Sequence, residues 1–224
     1  ALIRNRSTQT TAALNTRLPS RQISVTAMPS WTGNPADDQT PAFIEAAASF
    51  TGAAQVLIPA GTWKVQGAPL REGLYWVGEG SGPTGTVLTL PDTVAAGTPM
   101  FAASTGGTIW AGGVASLKMV GNGAARGAGA TTGVHGIDLF RFSQTHGFWV
   151  TDCHIERFDH GIRGAQNNST TAVGDDRWLI IEGCLIWDNL IGIYANEHPQ
   201  LAGNDVRRND IGLTGRLYDL NLTD

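Results

Sequence analysis

The sequence predicts an all-β solenoid of stacked parallel coils, with one short α-helix covering its first coil. Three observations predict it. Short β-branched and aromatic runs are divided by Gly and Pro, a single segment has helical periodicity, and the second half repeats itself with a period of roughly 20 to 50 residues. The composition agrees with one domain of all-β character. The 224 residues are 42% hydrophobic and 15% charged, with 29 Gly and 10 Pro, enough to bury a real core.

Residues 1 to 25 are polar and rich in Arg, Thr and Asn, without apolar periodicity, and read as an arm or linker. A helix is predicted over residues 40–50. Thr40 is placed to cap it, Pro41 suits its first turn, and Phe43, Ile44, Ala47 and Ala48 recur at three- and four-residue spacing. A helix this short is marginal alone and needs a partner surface. Strand-like runs follow at Val56–Ile58, Thr62–Val65, Leu74–Val77 and Thr86–Leu90.

The repeat emerges when the segment from Phe148 is laid on that from Leu179. Cys153 falls on Cys184, Ile155 on Ile186, Gly161 on Gly192 and Ile162 on Ile193. A second shift sets Ile186 on Val206, Asn189 on Asn209, Gly192 on Gly212 and Ile193 on Leu213. Upstream, Val114–Met119 aligns with Val150–Ile155, and Gly136-Ile137 with Gly161-Ile162, the Gly/Ala-rich stretch between them being an insertion. Coils stacked at a strand spacing of about 4.8 Å turn such equivalences into columns. One column is Leu117, Cys153, Cys184 and Asn204 at a turn. Two inward apolar columns are Met119, Ile155, Ile186, Val206 and Ile137, Ile162, Ile193, Leu213. The Gly before each member of the last fits a tight entry into a strand. The helix is then explained as the cover of an otherwise unpaired first coil.

Several function classes are excluded. A formal net charge of −4 and the absence of a Lys/Arg cluster argue against nucleic acid as partner. No apolar run approaches a membrane span, and the N-terminus lacks the plan of a signal peptide, so no membrane insertion is expected. Two Cys form neither a disulfide framework nor a zinc or redox spacing; both are predicted to be free, buried thiols in a reduced compartment. None of the five His has a metal-ligand spacing, so neither metal nor cofactor is expected; His160 beside Asp159 is the one acid-base neighbour pair. The Gly-rich stretches at 78–82 and 121–123 lack the Lys-Ser/Thr and helix of a phosphate loop and read as turns. Asn-x-Ser/Thr matches at Asn5, Asn167, Asn168 and Asn221 are read as chance.

The segment Ala36-Asp37-Asp38-Gln39-Thr40-Pro41-Ala42-Phe43, followed by Val56-Leu57-Ile58-Pro59-Ala60-Gly61-Thr62-Trp63 and Leu74-Tyr75-Trp76-Val77-Gly78-Glu79-Gly80, resembles the head of the pectate-lyase-like right-handed parallel β-helix proteins, above all phage tailspikes and capsule depolymerases. The resemblance runs from about Trp31 to Leu213; Asn34-Pro35 departs from it, as does an end at Asp224 without a trimerisation domain. It implies a right-handed parallel β-helix over residues 26–224. It also implies a virion or phage-like particle component assembled in the bacterial cytoplasm, a homotrimer or a piece of a longer spike. Bacterial surface polysaccharide would be its partner, and residues 1–25 would attach it to other particle or tail proteins.

With Ile137, Ile162, Ile193 and Leu213 inward, alternation sends Asp138, Arg163, Tyr194 and Thr214 outward. Arg pairs with acidic sugars and Tyr stacks on pyranose rings, so these four are the candidate glycan-binding residues. The alternative is a polysaccharide hydrolase or lyase. Its carboxylates would come from the outward or turn acids Asp138, Asp152, Glu156, Asp159, Glu182, Asp188 and Glu197, with Asp159, Glu182 and Glu197 taken as candidates and no pair singled out.

Overall fold

A computed structural model describes residues 21–94, 97–103, 108–123, 134–140, 142, 144–165, 179–196, 199–215 and 221–223. Among the described residues the fold is all-β with one α-helix, and every strand pairing in its sheets is parallel.

The chain visits three sheets in fixed rotation. Sheet A holds β1 (Gln22–Ser24), β2 (Ala54–Ile58), β5 (Leu74–Gly78), β9 (Gly112–Ala115), β13 (Phe148–Thr151), β16 (Ile180–Glu182), β19 (Gln200–Ala202) and β22 (Asn221–Thr223). Sheet B holds β3 (Gly61–Lys64), β6 (Thr86–Thr89), β10 (Lys118–Val120), β14 (His154–Glu156), β17 (Leu185–Trp187) and β20 (Asp205–Arg207). Sheet C holds β4 (Ala68–Leu70), β7 (Phe101–Ala103), β11 (Ile137–Asp138), β15 (His160–Arg163), β18 (Ile191–Tyr194) and β21 (Ile211–Thr214). From β2 onward each circuit runs A, B, C. In two successive returns from C to A the chain adds β8 (Thr108–Ile109) and β12 (Gln144–Thr145), which pair with each other.

The register lines up the repeats as the sequence predicts. Met119, Ile155, Ile186 and Val206 are successive partners in sheet B, and Ile137, Ile162, Ile193 and Leu213 in sheet C. A third apolar column, Val56, Trp76, Val114, Val150, Ile181 and Leu201, comes from sheet A. The three columns meet in one core, fully or nearly buried except at Val206 and Leu213. Leu117, Cys153 and Cys184 lie in it as well, both thiols free and buried. Burial, then the neighbouring Cys184 thiol, pushes the Cys153 pKa well up.

Corners between A and B need a left-handed residue. Ser116, Asp152, Gly183 and Gly203 supply it at φ 55°, 52°, 64° and 58°. Corners between B and C use Arg157, Asp188 and Arg208 in the same way, at φ 67°, 55° and 57°. An Asn follows the last two. Asn189 is fully buried and its Oδ1 accepts from Phe158 N, while Nδ2 donates to Ile155 O, Trp187 O and Asn209 Oδ1. Asn209 repeats the contact one coil on, accepting from Asn189 N and donating to Ile186 O. Asn189→Ala would leave buried backbone groups unpaired, and a loss of about 3 kcal/mol in urea unfolding is the expected result.

The glycines before the sheet C column have a different role from the one the sequence suggests. A Cβ on Gly136, Gly161 or Gly192 would lie 2.6, 2.8 or 2.6 Å from the carbonyl oxygen of the next coil's glycine. Close stacking of coil on coil demands them, not a turn.

The first coil is covered edge by edge. Strand β1 pairs with β2 and extends sheet A, so residues 21–25 of the predicted arm are ordered against the fold, with Val25 buried. Asp38 bridges Lys64 at the edge of sheet B. Helix α1 (Thr40–Ala48) packs against β4 of sheet C. It ends two residues short of the predicted span, and its N-cap is Gln39, not Thr40. Thr40 instead donates its N–H to Asp38 Oδ1 and accepts from Gln66 N through Oγ1. Arg71 closes the far end, donating to Ala47 O and Phe50 O. The buried face is Ala42, Phe43, Ala46 and Ala47; Ile44, expected inside, is 50% exposed. The tilt of the helix is set by Phe43, whose ring stacks on Trp76 with centroids 5.0 Å apart.

Candidate functional site

Two outer faces carry chemistry. On sheet C the predicted residues form one continuous column. Asp138 pairs with Arg163, Arg163 with Tyr194 and Tyr194 with Thr214, each half-buried on the outer face. Arg163 is held from several sides. Its guanidinium lies 3.4 Å over the Phe140 ring, 3.1 Å from His135 Nε2 and 3.8 Å from Asp138 Oδ2. This makes it a fixed, partly balanced charge, better suited to orienting a polar ligand than to capturing an anion. His160 joins the cluster, its ring edge-on to His135 at 4.6 Å and to Tyr194 at 6.1 Å. Burial foremost, then His160 and Arg163, lowers the His135 pKa to about 3; burial and Arg163 lower that of His160 to about 4.

Sheet B carries an ion-pair hub in place of a reactive acid. Glu156 is 7% exposed; Lys118 Nζ lies 3.1 Å and His154 Nε2 2.8 Å from its oxygens, and Trp187 Nε1 donates to Oε2 at 2.5 Å. Burial would raise its pKa, but these three partners outweigh it and hold the group at about 2. A carboxylate so held is no general acid near neutral pH.

On sheet A the register stacks Tyr75, Gly113 and Trp149 on the outer face. A glycine between two aromatics leaves a slot two strand spacings wide. Trp110 and Ala111, from the return into β9, and Gly147, from the return into β13, form its rim, and Thr151 adds to the lining; the cavity measures about 250 Å³. Trp110 is 62% exposed and is stacked on His146 at 4.5 Å. Its backbone N–H donates to Glu72 Oε2 at 2.6 Å. Burial, then the Glu72 charge, raises the Tyr75 pKa. Thr151 Oγ1 is buried and has no hydrogen-bond partner among the described residues. None of this was visible as a site in the sequence. Tyr75 reads there as one more strand residue: the alignment of Val114 on Val150 already sets Gly113 on Trp149, but the pairing of β5 with β9 that brings Tyr75 to Gly113 is hidden by the return between them.

The candidate carboxylates are dispersed. Asp159 sits in the turn into β15 of sheet C, Glu182 at the end of β16 in sheet A, and Glu197 lies outside the described residues. The structure instead places Asp152 beside Glu182. Asp152 follows Thr151, the register partner of Glu182, and its N–H donates to Glu182 O. Burial raises the Asp152 pKa, against a hydrogen bond from Ser116. Among the described residues no three His, Cys, Asp or Glu side chains converge as a metal-ligand set. No family model, no curated protein and no solved structure matches the chain.

Proposed function

We propose that this chain is a right-handed parallel β-helix that serves as a spike of a phage or phage-like particle and binds bacterial surface polysaccharide. The rotation through three parallel sheets supports the architecture, and crossover connections between parallel strands in one sheet are right-handed in nearly all proteins. The observation that carries the function is the outward column Asp138, Arg163, Tyr194 and Thr214, which presents polar and aromatic groups at about the 4.8 Å strand spacing along one face. Such a ladder suits an extended, polar, repeating ligand. The spike acts as a homotrimer, attached to the particle through the part of the polar arm that precedes β1.

The test is incubation of the chain, after its oligomeric state is measured, with a panel of bacterial capsule and lipopolysaccharide glycans. Retention of at least one polymer, weakened about tenfold or more by Tyr194→Ala, is expected; retention of none would overturn the reading. A second reading, polysaccharide cleavage, is favoured by one observation. Asp152 and Glu182 lie on adjacent coils, and the Asp152 pKa is raised as a general acid requires. In that case reducing-end or unsaturated products would form, and Asp152→Asn and Glu182→Gln would each abolish them.

A further inference from the structure

We propose that the slot on the outer face of sheet A is a subsite for one uncharged pyranose ring, sandwiched between Tyr75 and Trp149 above Gly113, with a ring hydroxyl on Thr151 Oγ1. The inference rests on the polysaccharide reading only in taking the ligand to be a sugar.

Width comes first. Tyr75 and Trp149 are each one register step from Gly113, so their strands are about 9.6 Å apart, twice the usual spacing. Van der Waals contact with a wall takes about 3.5–4.0 Å on each side. A flat aromatic ligand would leave this gap loose, whereas a puckered saturated ring with axial hydrogens fills it. Between Tyr75 and Trp149 lies Gly113, where a Cβ would meet Trp149 O at 2.6 Å, so no larger residue fits without a shift of the next strand. The volume of about 250 Å³ is below the roughly 300–1,000 Å³ of sites for drug-sized ligands. It admits one ring, with the rest of a chain outside.

Charge comes second. Among the described residues no Lys or Arg lines the slot, and Glu72 accepts from the N–H of Trp110, one of its rim residues. The nearest guanidinium in sequence, that of Arg71, is turned to the end of α1 on Ala47 O and Phe50 O. Among the described residues a uronate would therefore meet a carboxylate and no cation. The third observation is Thr151, 1% exposed and lining the slot, whose hydroxyl is unpartnered. Buried hydroxyls are rarely left unpaired, and a sugar hydroxyl in the slot supplies the missing partner.

The experiment is titration of the 224-residue chain with methyl glycosides of neutral hexoses, read by tryptophan fluorescence and calorimetry. A methyl uronide and tetramethylammonium serve as comparators, since aromatic walls with a carboxylate also suit a quaternary ammonium. Binding of at least one neutral glycoside is expected, weaker by tenfold or more in Trp149→Ala. Thr151→Val should weaken it about 2- to 10-fold, the effect of one hydrogen bond, with no fall in melting temperature, because the hydroxyl has no partner to lose among the described residues. Preference for the uronide or for tetramethylammonium, or affinities unchanged in both variants, would overturn the proposal. Polymer retention that persists while every neutral glycoside fails to bind removes the slot and leaves the polysaccharide reading. Glycoside binding without retention of any polymer supports the slot and removes that reading.

Discussion

Acidification from pH 7 to 4 is expected to destabilise the fold by several kcal/mol, seen as a melting temperature that falls steadily below about pH 6.5. The cause is the pair of imidazoles behind Arg163. His135 is 4% exposed, lies against His160, and is 3.1 Å from a guanidinium that disfavours its protonation. Its folded pKa of about 3 and that of His160 of about 4 lie below the unfolded value of about 6.5. Below pH 6.5 the unfolded chain therefore binds more protons than the folded one, and stability falls as pH falls, until about pH 3 to 4. At about 1.4 kcal/mol per pH unit the fall from pH 6.5 to 4 costs roughly 3–4 kcal/mol through His135 alone, with less from His160 because the two titrate as a pair. Glu156 adds a loss of the same sign at lower pH. Its folded pKa of about 2 is depressed, so its contribution is present above the unfolded value and fades as pH drops through 2; screening reduces it to about 1–2 kcal/mol. His135→Phe should flatten the profile between pH 6.5 and 4. A melting temperature constant over that interval in the parent chain would refute the buried neutral pair.

The second large effect is at the covered end of the stack. Trp76 is fully buried, stacked on Phe43, tilted against Phe101 with centroids 5.9 Å apart, and donates from Nε1 to Pro69 O. Trp76→Ala removes a large apolar surface and leaves a cavity the rigid coils cannot close, a cost of about 3–5 kcal/mol. Phe43→Ala is expected to cost a similar amount, about 3–5 kcal/mol, because the same stack fixes the helix over sheet C. Ile44→Ala, on the exposed side of the same helix, should change stability by less than about 0.5 kcal/mol. Urea midpoints at unchanged slope would report all three. Equal midpoints for Phe43→Ala and Ile44→Ala would mean that α1 is not the plug the packing describes.

The helix also illustrates how far local pattern carries. Spacing located it to within two residues but rotated it, placing Ile44 inside. The three- and four-residue spacing allows a face centred on Phe43 with either neighbour, and only the ring stack with Trp76 selects Ala46 over Ile44. Its cap was misread for a related reason: Thr40 Oγ1 is taken by Gln66, 26 residues away.

Of the candidate sites, the column Asp138, Arg163, Tyr194 and Thr214 was legible because repeats align in sequence as they align in space. That Arg163 is balanced by Asp138, His135 and Phe140 was not, because Phe140 and His135 lie outside the alternation that defines the column. The slot on sheet A was invisible for a further reason: Trp110 comes from a return between repeats and Trp149 from a strand two register steps beyond Tyr75. The juxtaposition of Asp152 with Glu182 depends in turn on the left-handed corner at Asp152, φ 52°.

By itself, then, the sequence determined the all-β character, the parallel columns of apolar side chains, the position of the one helix and the composition of one outward column. Each follows from period and repetition along the chain. Only the tertiary structure decided how returns and corners close over those columns: which aromatic residues flank Gly113, which imidazoles are shut away behind Arg163, and which acids lie on adjacent coils. Those contacts join residues with no fixed separation in the repeat, and their energies come from burial and charge between coils, which no local period encodes.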